Sequence, residues 1–303
     1  MENNGLPDRR MSLALLAGAG ATAAASIRAN AQEHARLLIE WNQHMFSRDV
    51  GRFPFSPKAP YTPKPERLPP DPLSPYLERL SSIGVTRAVF VQPEPYGDDH
   101  TLILDCLART PADRFKGTSL FYPKDQDAPR KLAELVRREP RIVATRFHAH
   151  RGKEMYLDSF ADQGVRNLWK QAVELGLIIE LHIGPNYALQ AAQAVKAFPG
   201  CRVIIDHLAE AKLGTPMEYA NVLDLAALPN VYMKLSELEN VATDGPLFES
   251  IRPFTSRIIK EFGPDRMIWS GGSPEIARVH MEGYQDADIQ KALGGNLATL
   301  LRW

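Results

Sequence analysis

From Arg36 onward the chain repeats one rhythm: a short run of apolar and β-branched residues, a loop, then a longer stretch whose apolar residues recur every three or four positions. Runs of the first kind read as strands and those of the second as amphipathic helices. Strand-like runs lie at Leu37–His44, Val85–Gln92, Lys116–Phe121, Ile142–His150, Leu177–Ile183, Val203–Leu208, Val231–Ser236 and Met267–Ser270. Helical patterns follow at Pro75–Ile83, His100–Arg109, Pro129–Arg138, Val165–Leu175, Ala188–Phe198, Met217–Ala227 and Phe248–Phe262, and Ile289–Leu301 closes the chain. Eight strand–helix repeats within residues 32–303 predict one α/β domain, a (β/α)8 barrel. An open doubly wound sheet is the rival, but no glycine-rich phosphate loop follows the first strand.

Two segments break the rhythm. Arg52–Pro72 holds eight prolines and Tyr61, which excludes helix and central strand. A long loop after a barrel strand is commonly site-forming, so this arm is expected to lie over the mouth, with Tyr61 as a substrate contact. At the other end of the chain, Arg9-Arg10 precede an apolar, alanine-rich run from Leu13 to Ala25, and Ala29-Asn30-Ala31 follows. Residues 1–31 resemble a twin-arginine export signal cleaved before Gln32, which implies a periplasmic address. A disordered alanine-rich tail on a cytoplasmic protein is the alternative.

Lysine plus arginine equals aspartate plus glutamate at 36 each, so no net field favours nucleic acid or an anionic membrane. A small-molecule substrate is the expected partner, and a homo-oligomer stays open. Cys106 and Cys201 lack metal-knuckle spacing and read as two buried thiols.

The candidate chemistry is histidine. His44, His148, His150, His182 and His207 fall at the ends of four predicted strands. In a barrel these carboxyl ends form the floor of the active site, where imidazole can move protons, polarise a carbonyl or ligate a metal. Strand alternation places Glu40, Asn42 and His44 on one face, Arg146, His148 and His150 on another, and Glu180 with His182. If the histidines face the lumen, Arg146 and Glu180 do too and need partners; a substrate carboxylate would serve Arg146. Asp206 and His207, being adjacent, are expected to face opposite sides, with Asp206 outward.

These residues belong to longer motifs: Glu180-Leu181-His182, Asp206-His207-Leu208, Val231-Tyr232-Met233-Lys234-Leu235-Ser236, Gly263-Pro264-Asp265-Arg266-Met267-Ile268-Trp269, Gly294-Gly295-Asn296-Leu297-Ala298, and Tyr96-Gly97-Asp98-Asp99-His100 after the second strand. Together they make the chain resemble the amidohydrolase-related family of metal-dependent hydrolases, in its branch of sugar-lactone and dicarboxylate-lactone hydrolases. Two positions depart from that family. Its first strand ends in a metal-binding His-x-His, where this chain has Asn42-Gln43-His44. Its eighth strand ends in an aspartate that serves as ligand and general base, where Trp269-Ser270-Gly271-Gly272 presents Gly272.

Only His44 and His182 keep the family's metal pattern, and a catalytic zinc keeps three protein ligands. No cofactor is therefore expected. Zinc or manganese stays open if His148, Glu180 or His207 completes another set. The resemblance implies hydrolysis of a small carboxylated or polyhydroxylated lactone or related ester. His182, His207 and Glu180 are then the candidate catalytic groups, and Arg146, His148, His150, Asn42, Tyr61 and Lys234 the candidate substrate contacts. A decarboxylase with rearranged ligands and a non-catalytic binding barrel are the alternatives.

Overall fold

Eight parallel strands pair in sequence order, each with the next: β1 (Ile39–His44), β2 (Arg87–Val91), β3 (Phe115–Leu120), β4 (Ile142–Ala149), β5 (Ile178–Ile183), β6 (Arg202–Ile205), β7 (Val231–Leu235) and β8 (Met267–Trp269). This is a computed structural model, and it describes residues 37–149 and 156–303. The export-signal segment, its cleavage point before Gln32, and His150 lie outside the described residues. The seam between β8 and β1 is bridged by the Ser270 hydroxyl, which donates to the Trp41 carbonyl.

The helices on the outside are α1 (Leu73–Ser82), α2 (Thr101–Ala108), α3 (Ala128–Arg138), α4 (Gln163–Glu174), α5 (Ala188–Ala197), α6 (Pro216–Asp224) and α7 (Arg252–Phe262), followed by the short α8 (Glu275–His280), α9 (Asp286–Gln290) and α10 (Asn296–Leu301). Their apolar stripes pack on the outward residues of the strands, as an amphipathic helix must. The closing helix expected over 289–301 is interrupted by a π turn at 291–295. Gly294 lets this turn lie against Leu37: a Cβ on it would sit 2.3 Å from the Leu37 carbonyl oxygen, so only glycine permits this approach.

A separate apolar layer fills the barrel itself. Ile39, Trp41, Val89, Val91, Ala144, Ile178, Ile204 and Ile268 point inward, and Leu297, Leu300 and Leu301 of α10 plug the amino-terminal end. Trp41 therefore faces the lumen. Glu40 turns outward instead, where its carboxylate accepts from the Tyr76 hydroxyl and pairs with Arg79 on α1. The expected common face of Glu40, Asn42 and His44 fails because a bulge between Glu40 and Gln43 shifts the register of β1 against β2. Both cysteines are buried and free, and burial pushes the Cys106 thiol up to about 12, as befits an inert packing residue.

Candidate active site

Above the apolar layer lies a layer of four charges. Lys234 of β7 donates to Glu180 of β5 and lies 2.8 Å from Asp206 Oδ1; Arg146 of β4 reaches Asp206 Oδ2 at 2.8 Å and stands 3.8 Å from Glu180 Oε2. The side chains are 2% exposed or less, so the two cations and two anions must neutralise one another. Burial pushes the Asp206 carboxyl up, but Lys234 and Arg146 overcome that and hold it below the usual carboxylate range. Glu180 ends above its ordinary value, through burial and then the neighbouring Asp206 charge.

Two expectations change here. Asp206 points into the barrel, continuing the inward parity of Ile204, and Arg146 finds its counter-ion in Asp206 within the protein. Both Asp206 and His207 reach the interior because His207 adopts φ 51° and opens a run of left-handed residues, Leu208 (54°), Ala209 (56°) and Glu210 (48°). That run ends β6 at Ile205, short of the expected Leu208, and carries Glu210 inward as well. The same device acts after β7, where Glu237 at φ 49° follows Ser236. Each non-glycine residue held there costs about 1–2 kcal/mol, a cost often retained at functional sites.

The described rim histidines form a row. The rings of His148 and His182 are 4.9 Å apart, as are those of His182 and His207. Burial, and then the nearby Arg146 charge, hold the His44 imidazole well below its ordinary value. His182 accepts at Nδ1 from Arg146 (3.0 Å), because a guanidinium can only donate, so its proton lies on Nε2, 2.7 Å from Glu210 Oε1. His207 Nδ1 lies 2.9 Å from Ser236 Oγ, and its Nε2 lies 3.3 Å from Glu237 Oε1. Burial, more than the opposing Asp206 and Glu237 charges, pushes His207 down to about 4, so it is neutral at pH 7. Asn42 donates to Glu237 Oε1 at 3.4 Å.

Beside this row opens a cavity of about 720 Å³ whose lining includes Pro57, Lys58 and Pro60 of the proline-rich arm with Glu94, His148 and Tyr156. His148 Nδ1 is 3.3 Å from Glu94 Oε1. Tyr61, 42% exposed, follows Pro60 on the arm but is not part of that lining.

The model of the family described as amidohydrolase matches residues 15–296. The chain belongs to the amidohydrolase family. Among its relatives is a 4-sulfomuconolactone hydrolase of Rhizobium radiobacter, 28% identical over 225 residues, covering 73% of this chain and 71% of the relative. An L-fucono-1,5-lactonase of Burkholderia ambifaria is 28% identical over 216 residues, covering 68% and 69%. In fold, this amidohydrolase matches a crystal structure described as a probable 2-pyrone-4,6-dicarboxylic acid hydrolase of Acinetobacter baumannii, with a TM-score of 0.70 at 20% identity, over 88% of this chain and 99% of that one.

Does this amidohydrolase keep a site for a divalent ion? Among the described residues, His182, His207 and Glu210 bring ligand atoms within 4.8 Å of one another. One contact of His182 opposes an ion at that place. A metal on His182 Nε2 would require the ring proton on Nδ1, against the Arg146 guanidinium, whereas ligating imidazoles direct that N–H at an acceptor. At the family's aspartate position, Gly272 has φ 69°, and a Cβ there would meet Ile276 Cδ1 at 3.0 Å. The family's aspartate, which would join His44 and His182, the two ligands kept by pattern, is thus replaced by Gly272. The carboxylates Glu210, Glu237 and Glu94 were missed by the strand pattern, because they lie on turns beyond strand ends, where alternation no longer predicts direction.

Proposed function

We propose that this amidohydrolase hydrolyses a small lactone or related ester, carboxylated or polyhydroxylated, without a resident metal. The observation that carries the reading is the neutral His207, bonded to Ser236 at Nδ1 and without a hydrogen bond at Nε2 among the described residues. Ester cleavage needs a proton taken from water and one returned to the leaving oxygen, and a neutral imidazole can take part in both. His182 is next to it, but Arg146 and Glu210 engage its two nitrogens.

Arg146, Glu180 and Lys234 sit beneath the histidines and act by holding them and Asp206 in place. Their charges also set the potential at the floor of the site. His148, with Lys58 and Tyr156, lines the cavity that would receive the substrate. The two lactone hydrolases among the relatives support the substrate class, and Arg9-Arg10 supports export to the periplasm.

The test is a panel of lactones of varied ring size, read by acid release. General-base or general-acid loss costs about 10²–10⁴ in rate, so His207→Ala should fall by that much. Activity should survive chelator, and elemental analysis should find no stoichiometric metal. A panel that stays inert with folded protein would end the hydrolase reading. Stoichiometric zinc or manganese, with activity lost on its removal, would select a metal site built on His182, His207 and Glu210, the second reading that their proximity supports.

A further inference from the structure

Asn42, which stands where the family has a metal ligand, contacts the carboxylate of Glu237 and packs beside the loop that carries Gly272. A Cβ on Gly271, the neighbour of Gly272, would lie 3.3 Å from Asn42 Nδ2, and that same amide donates to Glu237 Oε1 at 3.4 Å. Oε1 also lies 3.3 Å from His207 Nε2, while Asn240 donates to Oε2 at 3.1 Å. Unlike Glu180, whose side chain is 0% exposed and bonded to Lys234, the Glu237 side chain is 29% exposed. A carboxylate offers about four lone-pair sites, so the contacts that hold Glu237 leave it a lone pair with which to accept from a water. Its backbone is left-handed at φ 49°, ψ 45°, where glycine would sit without cost.

We propose that Glu237 is the general base that deprotonates the hydrolytic water, supplied from the end of β7 in place of the aspartate absent from the end of β8. This rests on the hydrolase reading. The water oxygen bonds to the lactone carbonyl carbon as its proton passes to the Glu237 carboxylate, and the carbonyl π pair moves onto oxygen. When the carbonyl reforms, the ring C–O bond breaks and its electron pair leaves on the alkoxide. His207 Nε2–H protonates that oxygen and is reprotonated by Glu237 across the 3.3 Å between them. The product is the open hydroxy acid, and both side chains return to their starting state.

The experiment compares wild type, Glu237→Gln and Glu237→Gly on the best lactone of the panel, with and without added formate. Glu237→Gln keeps shape and can still accept from one of Asn42 and Asn240 but cannot accept the proton, so kcat should fall about 10²–10⁴-fold, with KM within about threefold. Glu237→Gly suits the left-handed backbone and should fold. Formate occupying the space should raise its kcat at least tenfold and leave wild type unchanged. Glu237→Gln within threefold of a lactone-active wild type would overturn this proposal and leave the hydrolase reading standing. Loss of activity in both variants without formate rescue in Glu237→Gly would also overturn it, making Glu237 a structural residue. A wild type inert on every lactone would overturn both.

Discussion

Lys234→Met tests whether the buried charge layer holds the barrel together. The substitution keeps an unbranched chain of similar volume beside Trp41, whose ring centroid lies 5.1 Å from the ammonium, and removes the charge with the hydrogen bond it donates to Glu180. It leaves Glu180 and Asp206 facing a single cation, Arg146. At the 2.8 Å separation from Asp206, Coulomb's law with an effective dielectric near 20 gives an attraction of about 6 kcal/mol, part of which is offset because the ammonium no longer has to be desolvated. Breaking a buried pair by removing one partner generally costs about 3–5 kcal/mol, a large share of the roughly 5–15 kcal/mol by which domains are stable.

Urea denaturation with a checked m value would measure the loss. The double variant Lys234→Met with Glu180→Leu restores one anion to one cation, and should recover a large part of it. The loss should also depend on pH. Glu180 already titrates above its ordinary value, so without Lys234 its folded carboxyl rises further above the unfolded one. A group of that kind contributes stability at low pH that is lost as pH rises through its folded value, so Lys234→Met should be less damaging near pH 5 than near pH 8. A cost under about 1 kcal/mol that does not change with pH would refute the claim that these charges depend on one another.

Ala209→Gly, at φ 56°, should raise stability by up to about 1 kcal/mol, since relief of left-handed strain outweighs glycine's extra chain entropy; a loss seen in thermal melts would deny the strain. His207 and His100, each pushed down to about 4 by burial first, remain neutral when folded, so the unfolded chain binds more protons. Their contribution is therefore present above about pH 6.5 and is lost as pH falls towards 4; His100→Gln, which replaces the acceptor for the Leu120 N–H, should flatten part of that decline in denaturation midpoints. Asn42→His with Gly272→Asp restores the family's residue types but places a side chain at φ 69° against Ile276, so we expect about 1–3 kcal/mol of destabilisation and no gain of bound zinc by elemental analysis.

The order of the eight strands and the helices between them could be read from the sequence, because each depends on a local period that burial imposes on a single element. The placement of His44, His148, His182 and His207 at strand ends could be read for the same reason. The barrel fold then brings those ends together wherever the residues lie in the chain. Partners could not be read in this way. Arg146 meets Asp206 across β4, β5 and β6, and Lys234 reaches Glu180 and Asp206 only because the sheet curls into a barrel. Directions failed wherever regular alternation stopped. The bulge in β1 separates Glu40 from Asn42, and left-handed turns carry His207, Glu210 and Glu237 inward although none is glycine. A positive φ on an ordinary residue leaves no mark in the sequence. The surrounding packing holds it there, so only the tertiary structure decided which carboxylates meet the histidines.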